Sequence, residues 1–188
     1  MSTAFQAPVS ITRVCGHSET ETMRYRGRNH LRDLQSAARK EFCAGCRSLV
    51  SNWMAQAAET DAYELELPEL TGSVGQIKWA RDLRAKAGVQ LLPVMQAAAD
   101  HGGKTGAAVW QALYALMRQS SASFWIDDRH SGYCEHYVLR EAAYFAMSAI
   151  YDVTFTNRSI YGRWKKNAPY LIDDVKRACP VSLSPAQA

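Results

Sequence analysis

The chain has 188 residues, 47% of them hydrophobic and 21% charged, with a formal net charge of +4. That length can bury one substantial core, with or without a small appendage, and the composition excludes wholesale disorder. The charge is too mild to mark a nucleic-acid binder by itself, and the longest nearly apolar run, residues 107–117, contains Gln111 and is too short to span a bilayer.

Residues 10–15 alternate apolar and polar, and residues 19–26 carry Thr, Met and Tyr before Gly27, so both predict short strands. Cys15-Gly16-His17 then falls in the turn between them, where Gly16 permits a left-handed backbone. Beyond Gly27, Asn29 is an expected N-cap for a helix whose apolar face is Leu31, Leu34, Ala38 and Phe42. That helix delivers the chain to Cys43-Ala44-Gly45-Cys46. A second helix is expected from Cys46, with Leu49, Val50, Trp53, Met54 and Ala57 as its stripe.

Thiolate and imidazole are the donors zinc prefers, and a Cys-x-x-Cys pair reaches one tetrahedral ion from a single tight turn. Cys15, His17, Cys43 and Cys46 are therefore the candidate Zn2+ ligands, and zinc-finger precedent makes such binding worth roughly 10–16 kcal/mol of folding free energy. Cys134 and Cys179 remain far apart in sequence, so a disulfide framework is the weaker reading. No basic flank and apolar stretch mark a secretory signal, and a cytoplasmic setting is expected.

Residues 59–70 are acidic, end in Leu-Pro-Glu-Leu and suit an extended connector. Ser73 and Gln76 have the form of a capping box, opening a helix through about Lys86 with Gly88 as its stop. A further helical stretch follows Pro93, and Gly102-Gly103 breaks the chain. Residues 105–119 are the clearest amphipathic helix, with Val109, Trp110, Leu113, Tyr114, Leu116 and Met117 on a broad apolar face. Helix is expected over 137–151, an extended piece over 152–156 and a last helix near 170–178, before a mobile tail. Together these predict a mainly α protein with a small β element (α+β). A zinc-ribbon or treble-clef-like module over 1–58 is followed by a connector over 59–71, a helical body over 72–180 and a tail over 181–188.

Cys15-Gly16-His17, Gly27, Cys43-x-x-Cys46, the stretch Leu67-Pro68-Glu69-Leu70-Thr71-Gly72-Ser73 with Gln76, Trp79, Ala80, Leu83 and Arg84, and Ala122 with Trp125-Ile126-Asp127-x-Arg129 form an ordered set of motifs. That set resembles a group of functionally uncharacterised small bacterial, plasmid and phage proteins. The resemblance covers roughly the first two thirds of the chain. It implies a metal-binding N-terminus and a mobile-element setting, and no activity.

Several functional readings compete. Four protein ligands leave no open coordination position, which favours a purely structural zinc site. His17-Ser18-Glu19 with Cys43-x-x-Cys46 also matches most of the zinc-deaminase signature, although Phe42 replaces its proline and Cys15 fills the open position. Arg24, Arg26, Arg28 and Arg32 lie beside the metal motif, and on a strand the first three would project from one face toward phosphates. Glu19, Glu21, Asp33 and Glu41 are near enough in sequence to neutralise part of that row. A second basic group, Arg158, Arg163, Lys165 and Lys166, is interleaved with Tyr161 and Trp164, a pattern that suits single-stranded nucleic acid or a protein interface. Trp79, Trp110 and Trp125 read as core aromatics. Asp127, Asp128, Arg129, His130, Cys134 and His136 form a polar cluster without an evident nucleophile, base and orienter.

The expectation is thus a non-enzymatic binding protein of a mobile element or phage, its partner nucleic acid or a host protein–nucleic-acid complex. Inhibition of such a complex in the anti-CRISPR manner is one alternative, and a deaminase-like zinc enzyme is another.

Overall fold

A computed structural model of the chain describes residues 4–147 and 159–182. It is a small α+β fold, a two-stranded antiparallel hairpin beside a helical body, with a Cys/His cluster near the N-terminus. Strands β1 (Phe5–Thr12) and β2 (Ser18–Tyr25) pair with Phe5 opposite Tyr25 and Thr12 opposite Ser18. Because side chains alternate across a strand, Ile11 and Met23 share one face, while Gln6, Ser10, Thr12, Thr20, Thr22 and Arg24 lie on the exposed other. The apolar face is covered by helix α1 (Arg28–Ala38), whose Leu31, Leu34 and Ala38 complete a small core with Ile11 and Met23.

Several boundaries differ from the sequence reading. Strand β1 spans Phe5–Thr12 and not 10–15, so Cys15 lies past the strand in the turn, and the helices expected from 105 and 137 each start two residues early, at Gly103 and Glu135. Helix α1 starts one residue after Gly27, which holds the cap position, and Asn29 lies exposed within the first turn. The helix also ends at Ala38, so Phe42 belongs to the main core and not to the α1 stripe.

Helix α2 (Ala44–Ala55) begins at the cysteine pair, with Cys43 as its N-cap, and buries Val50 and Trp53 in the main core. A short 3-10 turn (Ala57–Glu59) leads into an extended connector whose Tyr63, Leu65, Leu67 and Leu70 pack on that core. Helix α3 (Val74–His101) carries the expected capping box of Ser73 and Gln76, yet runs through both expected breaks. Gly88 is buried on the side facing Met117, and the roughly 1 kcal/mol that glycine costs a helix interior is outweighed by that packing. Pro93 denies its N–H to the helix ladder, and one residue earlier the Leu92 carbonyl accepts the connector's Tyr63 N–H at 3.1 Å.

Gly102 and Gly103 reverse the chain into helix α4 (Gly103–Met117), which is buried on nearly every side. Gly106 sits where α4 crosses α3: a Cβ there would lie 2.4 Å from the Ala98 carbonyl oxygen, so only glycine allows the approach. Helix α5 (Ala122–Asp127) packs on α3 and buries Phe124 and Trp125. Helix α6 (Glu135–Met147) packs on α4 and α2. Helices α7 (Ile160–Asn167) and α8 (Tyr170–Ala178) close the body against α4. The stretch 152–156, expected to be extended, lies outside the described residues. Of the expected tail, Val181 is buried and the Ser182 carbonyl accepts the Gly103 N–H at 3.0 Å, so these two residues are docked. Among the described residues, no helix is long and apolar enough to cross a membrane.

Candidate metal centre

Cys15 and His17 come from the tip of the hairpin, and Cys43 and Cys46 from the N-terminus of α2. The tip is shaped by its own backbone: the Arg13 N–H donates to the His17 carbonyl at 2.8 Å and the Gly16 N–H to the Arg13 carbonyl at 2.9 Å. Gly16 has φ +87°, the left-handed conformation that the sequence assigned to it. The two halves are stitched together by the Val14 N–H, which donates to the Glu41 carbonyl at 3.1 Å.

The ligand atoms of Cys15, His17, Cys43 and Cys46 all lie within 4.8 Å of one another. His17 presents Nδ1, 3.2 Å from Cys46 Sγ and 3.6 Å from Cys43 Sγ. A tetrahedral ion with metal–sulfur bonds of about 2.3 Å sets its ligand atoms roughly 3.5–3.8 Å apart, so the cluster could hold such an ion once its longer separations, up to 4.8 Å, draw in by about 1 Å. The three cysteines are buried and the imidazole is exposed, leaving the solvent side of the centre to His17.

Backbone and side-chain donors surround the sulfurs. The Cys46 N–H donates to Cys43 Sγ at 3.4 Å and the Cys43 N–H to Cys15 Sγ at 3.5 Å. Thr105, in the first turn of α4, donates its hydroxyl to Cys46 Sγ at 3.1 Å. Without metal, the hydrogen bond from Cys46, ahead of the Cys43 N–H, pushes the Cys15 thiol down to about 4, and the same contact pushes Cys46 up. The N-terminal end of α2 adds its dipole in favour of thiolate.

Beside the centre lies a charge network that the sequence did not disclose. Arg13 is buried, and its guanidinium donates to Glu19 and Glu21, both at 2.6 Å, and to the Ala38 carbonyl at 2.8 Å. Glu19 turns its other oxygen to the Ala44 N–H at 3.1 Å, which, ahead of the Arg13 contact, holds its carboxyl below the usual range. A deaminase glutamate needs a carboxylate oxygen free to take up and return a proton at the metal, whereas both Glu19 oxygens are engaged, Oε1 by Arg13 and Oε2 by the Ala44 N–H. Glu41 lies 3.7 Å from Arg13 and 3.6 Å from Arg47.

The remaining sequence candidates are distributed unevenly. Arg24, Arg26, Arg28 and Arg32 are all exposed, but only Arg24 is on β2. Arg26 follows the strand and Arg28 opens α1, so the three do not form a single strand row. Tyr161 and Trp164 are 4% and 7% exposed: they are core residues and not stacking platforms. The reason is helical period, since Ile160, Tyr161 and Trp164 share the inward face of α7 while Lys165 and Lys166 face water. Arg163 leans over the Phe124 ring at 5.0 Å, and Arg158 lies outside the described residues. Trp110 and Trp125 are buried as expected, whereas Trp79 is 49% exposed with the Arg129 guanidinium 5.7 Å from its ring. Arg129 also closes α5 by donating to the Ile126 carbonyl at 2.6 Å, and Asp128 accepts the Ser131 hydroxyl at 2.5 Å. His130 and His136 are exposed, and neither joins a metal-ligating group among the described residues.

No protein-family model, curated protein or solved structure matches the chain. The class defined by fold and site is a small α+β protein whose helical body carries an N-terminal Cys/His cluster able to hold a metal ion.

Proposed function

We propose that the chain is a zinc-stapled, non-enzymatic protein that contacts nucleic acid through the arginines of its N-terminal hairpin and α1. Three sulfurs and one imidazole nitrogen are a donor set that selects zinc over the oxygen-seeking ions, and four protein ligands make the site structural.

The observation that carries the nucleic-acid reading is where the acidic side chains go. Glu19, Glu21 and Glu41, near enough in sequence to neutralise the arginine group, converge instead on buried Arg13. Among the described residues, Arg24, Arg26, Arg28 and Arg32 are exposed and have no ion-pair partner, and Arg24 shares its strand face with Ser10, Thr12, Ser18, Thr20 and Thr22. Guanidinium and hydroxyl groups in this mixture are phosphate-binding chemistry. The resemblance noted above adds a mobile-element setting, and reduced ligand thiols suit the cytoplasm.

A protein-directed inhibitor draws less support, because the aromatic anchors expected for it, Tyr161 and Trp164, are in the core. The deaminase draws less still, given the engagement of Glu19.

The deciding experiment is fluorescence anisotropy with labelled single- and double-stranded DNA and RNA over a range of salt. Binding should weaken steeply with salt, and replacing Arg24, Arg26 and Arg28 together by Ala should lower the log–log slope by about 1 per arginine. A triple variant with the parent slope, or no binding to any of the four nucleic acids at low salt, rejects the reading.

A further inference from the structure

A cleft of about 490 Å³ lies where the segment between α1 and α2 meets α6. Its volume falls within the usual range for small-ligand sites, about 300–1,000 Å³. The walls are apolar, with Phe42 from the α1–α2 segment and Leu139, Ala143 and Met147 from α6. The rim is cationic: Lys40, Arg47 and Arg140 line it with one carboxylate, Glu41, and the His136 imidazole, while Glu141, which pairs with Arg140, is buried.

These charges are only partly spent. Glu41 is shared between Arg47 at 3.6 Å and Arg13 at 3.7 Å. Arg140 gives Nε and Nη2 to Glu141 Oε1 at 3.2 and 2.9 Å and lies over the Tyr137 ring at 5.1 Å, which fixes the guanidinium at the mouth. Among the described residues, the Lys40 ammonium and the His136 ring have no hydrogen-bond or ion-pair partner. The cleft therefore offers a small apolar interior and a surplus of donors at its rim. Fatty acids match the first property but need a long channel, and inorganic phosphate matches only the second. A planar heterocycle bearing a phosphate matches both.

We infer that this cleft binds a nucleoside phosphate, the base against Leu139 and Met147 and the phosphate among Lys40, Arg47 and Arg140. The source is either a free nucleotide or one unstacked nucleotide of a single strand. The site shares no residue with Arg24, Arg26, Arg28 and Arg32, so it stands or falls separately from the function proposed above.

The test is calorimetric titration of the metal-loaded full chain with the common nucleoside monophosphates, the matching nucleosides, inorganic phosphate and a short single strand. At least one monophosphate should bind about ten-fold or more tighter than its nucleoside and than inorganic phosphate. Lys40→Ala with Arg47→Ala should weaken it about ten-fold, and Leu139→Trp, which fills the cleft, should abolish it while circular dichroism stays unchanged. The Arg24, Arg26 and Arg28 to Ala variant should bind the monophosphate as the parent does. Binding of the single strand through the same residues assigns the site to an unstacked nucleotide, and binding of the free nucleotide alone assigns it to a small molecule. No binding of any monophosphate, preference for inorganic phosphate, or parental affinity in the Lys40/Arg47 double variant overturns the inference. Should Leu139→Trp fail to fold, the double variant still decides.

Discussion

Thr105 Oγ1 donates a hydrogen bond to Cys46 Sγ at 3.1 Å across 59 residues of sequence, tying the first turn of α4 to the metal centre. Thr105 is 4% exposed, and the Cys46 sulfur is the acceptor that satisfies its hydroxyl. Thr105→Val keeps the shape and removes the donor. Metal affinity, measured by competition with a chromophoric chelator, should fall about 10–100-fold while the circular dichroism of the loaded protein is retained. Unchanged affinity would mean that the hydroxyl serves packing alone.

Cys15, Cys43 and Cys46 belong to the same apolar cluster as Val50, Trp53 and the inner faces of α3 and α4. Losing the ion should therefore be felt beyond the hairpin. A chelator, or Cys15→Ser, should lower the melting temperature and open the amides of α2 to hydrogen exchange, with the C-terminal half of α4 affected least. Equal protection of α2 with and without metal would show that the centre does not support the fold.

Gly106→Ala should be costly although alanine is the better helix former. The added methyl meets the Ala98 carbonyl oxygen, a backbone atom that cannot step aside. A loss of about 1–3 kcal/mol in urea unfolding is expected, the range for overpacking. Gly88→Ala is the control, since its methyl would meet only side-chain ends at 3.5 and 3.6 Å and should be tolerated.

Glu141 is 1% exposed and accepts the Ile160 N–H at 2.8 Å, capping α7 from α6. Burial, against the hydrogen bond from Arg140, pushes its carboxyl above the ordinary 4.5. The folded state then holds this proton more tightly than the unfolded chain does. Its contribution to stability is full below about pH 4.5 and is lost as pH rises through the folded value. Glu141→Gln keeps an acceptor for Ile160 and removes the titration, so the stability difference, wild type minus variant, should decline with rising pH. Glu141→Ala also orphans the Ile160 N–H and should be less stable than Glu141→Gln by about 1–3 kcal/mol, with the same decline against wild type as pH rises. A pH-independent difference for Glu141→Gln would show that the carboxyl keeps its ordinary affinity for the proton.

What could be read in the sequence was local. That Cys15, His17, Cys43 and Cys46 come together was legible because their spacing is that of a metal-ligating set, and the capping box at Ser73 because both its partners lie within one turn. Arg13 and Thr105 were not legible, since each is defined by partners 6 to 59 residues away. Gly88 and Pro93 misled because a helix packed along its length outweighs single unfavourable residues. The aromatics of α7 misled for the opposite reason. Interleaving in the linear sequence looked like a mixed surface, while a turn of 3.6 residues sorts Tyr161 and Trp164 inward and the lysines outward.

All four ligands precede α4 in the chain, but the hydroxyl that braces one of them arrives with it. During synthesis the Cys/His cluster is therefore made before the helix that carries Thr105. A chain interrupted before α4 would carry all four donors and lack the hydroxyl that satisfies Cys46 Sγ.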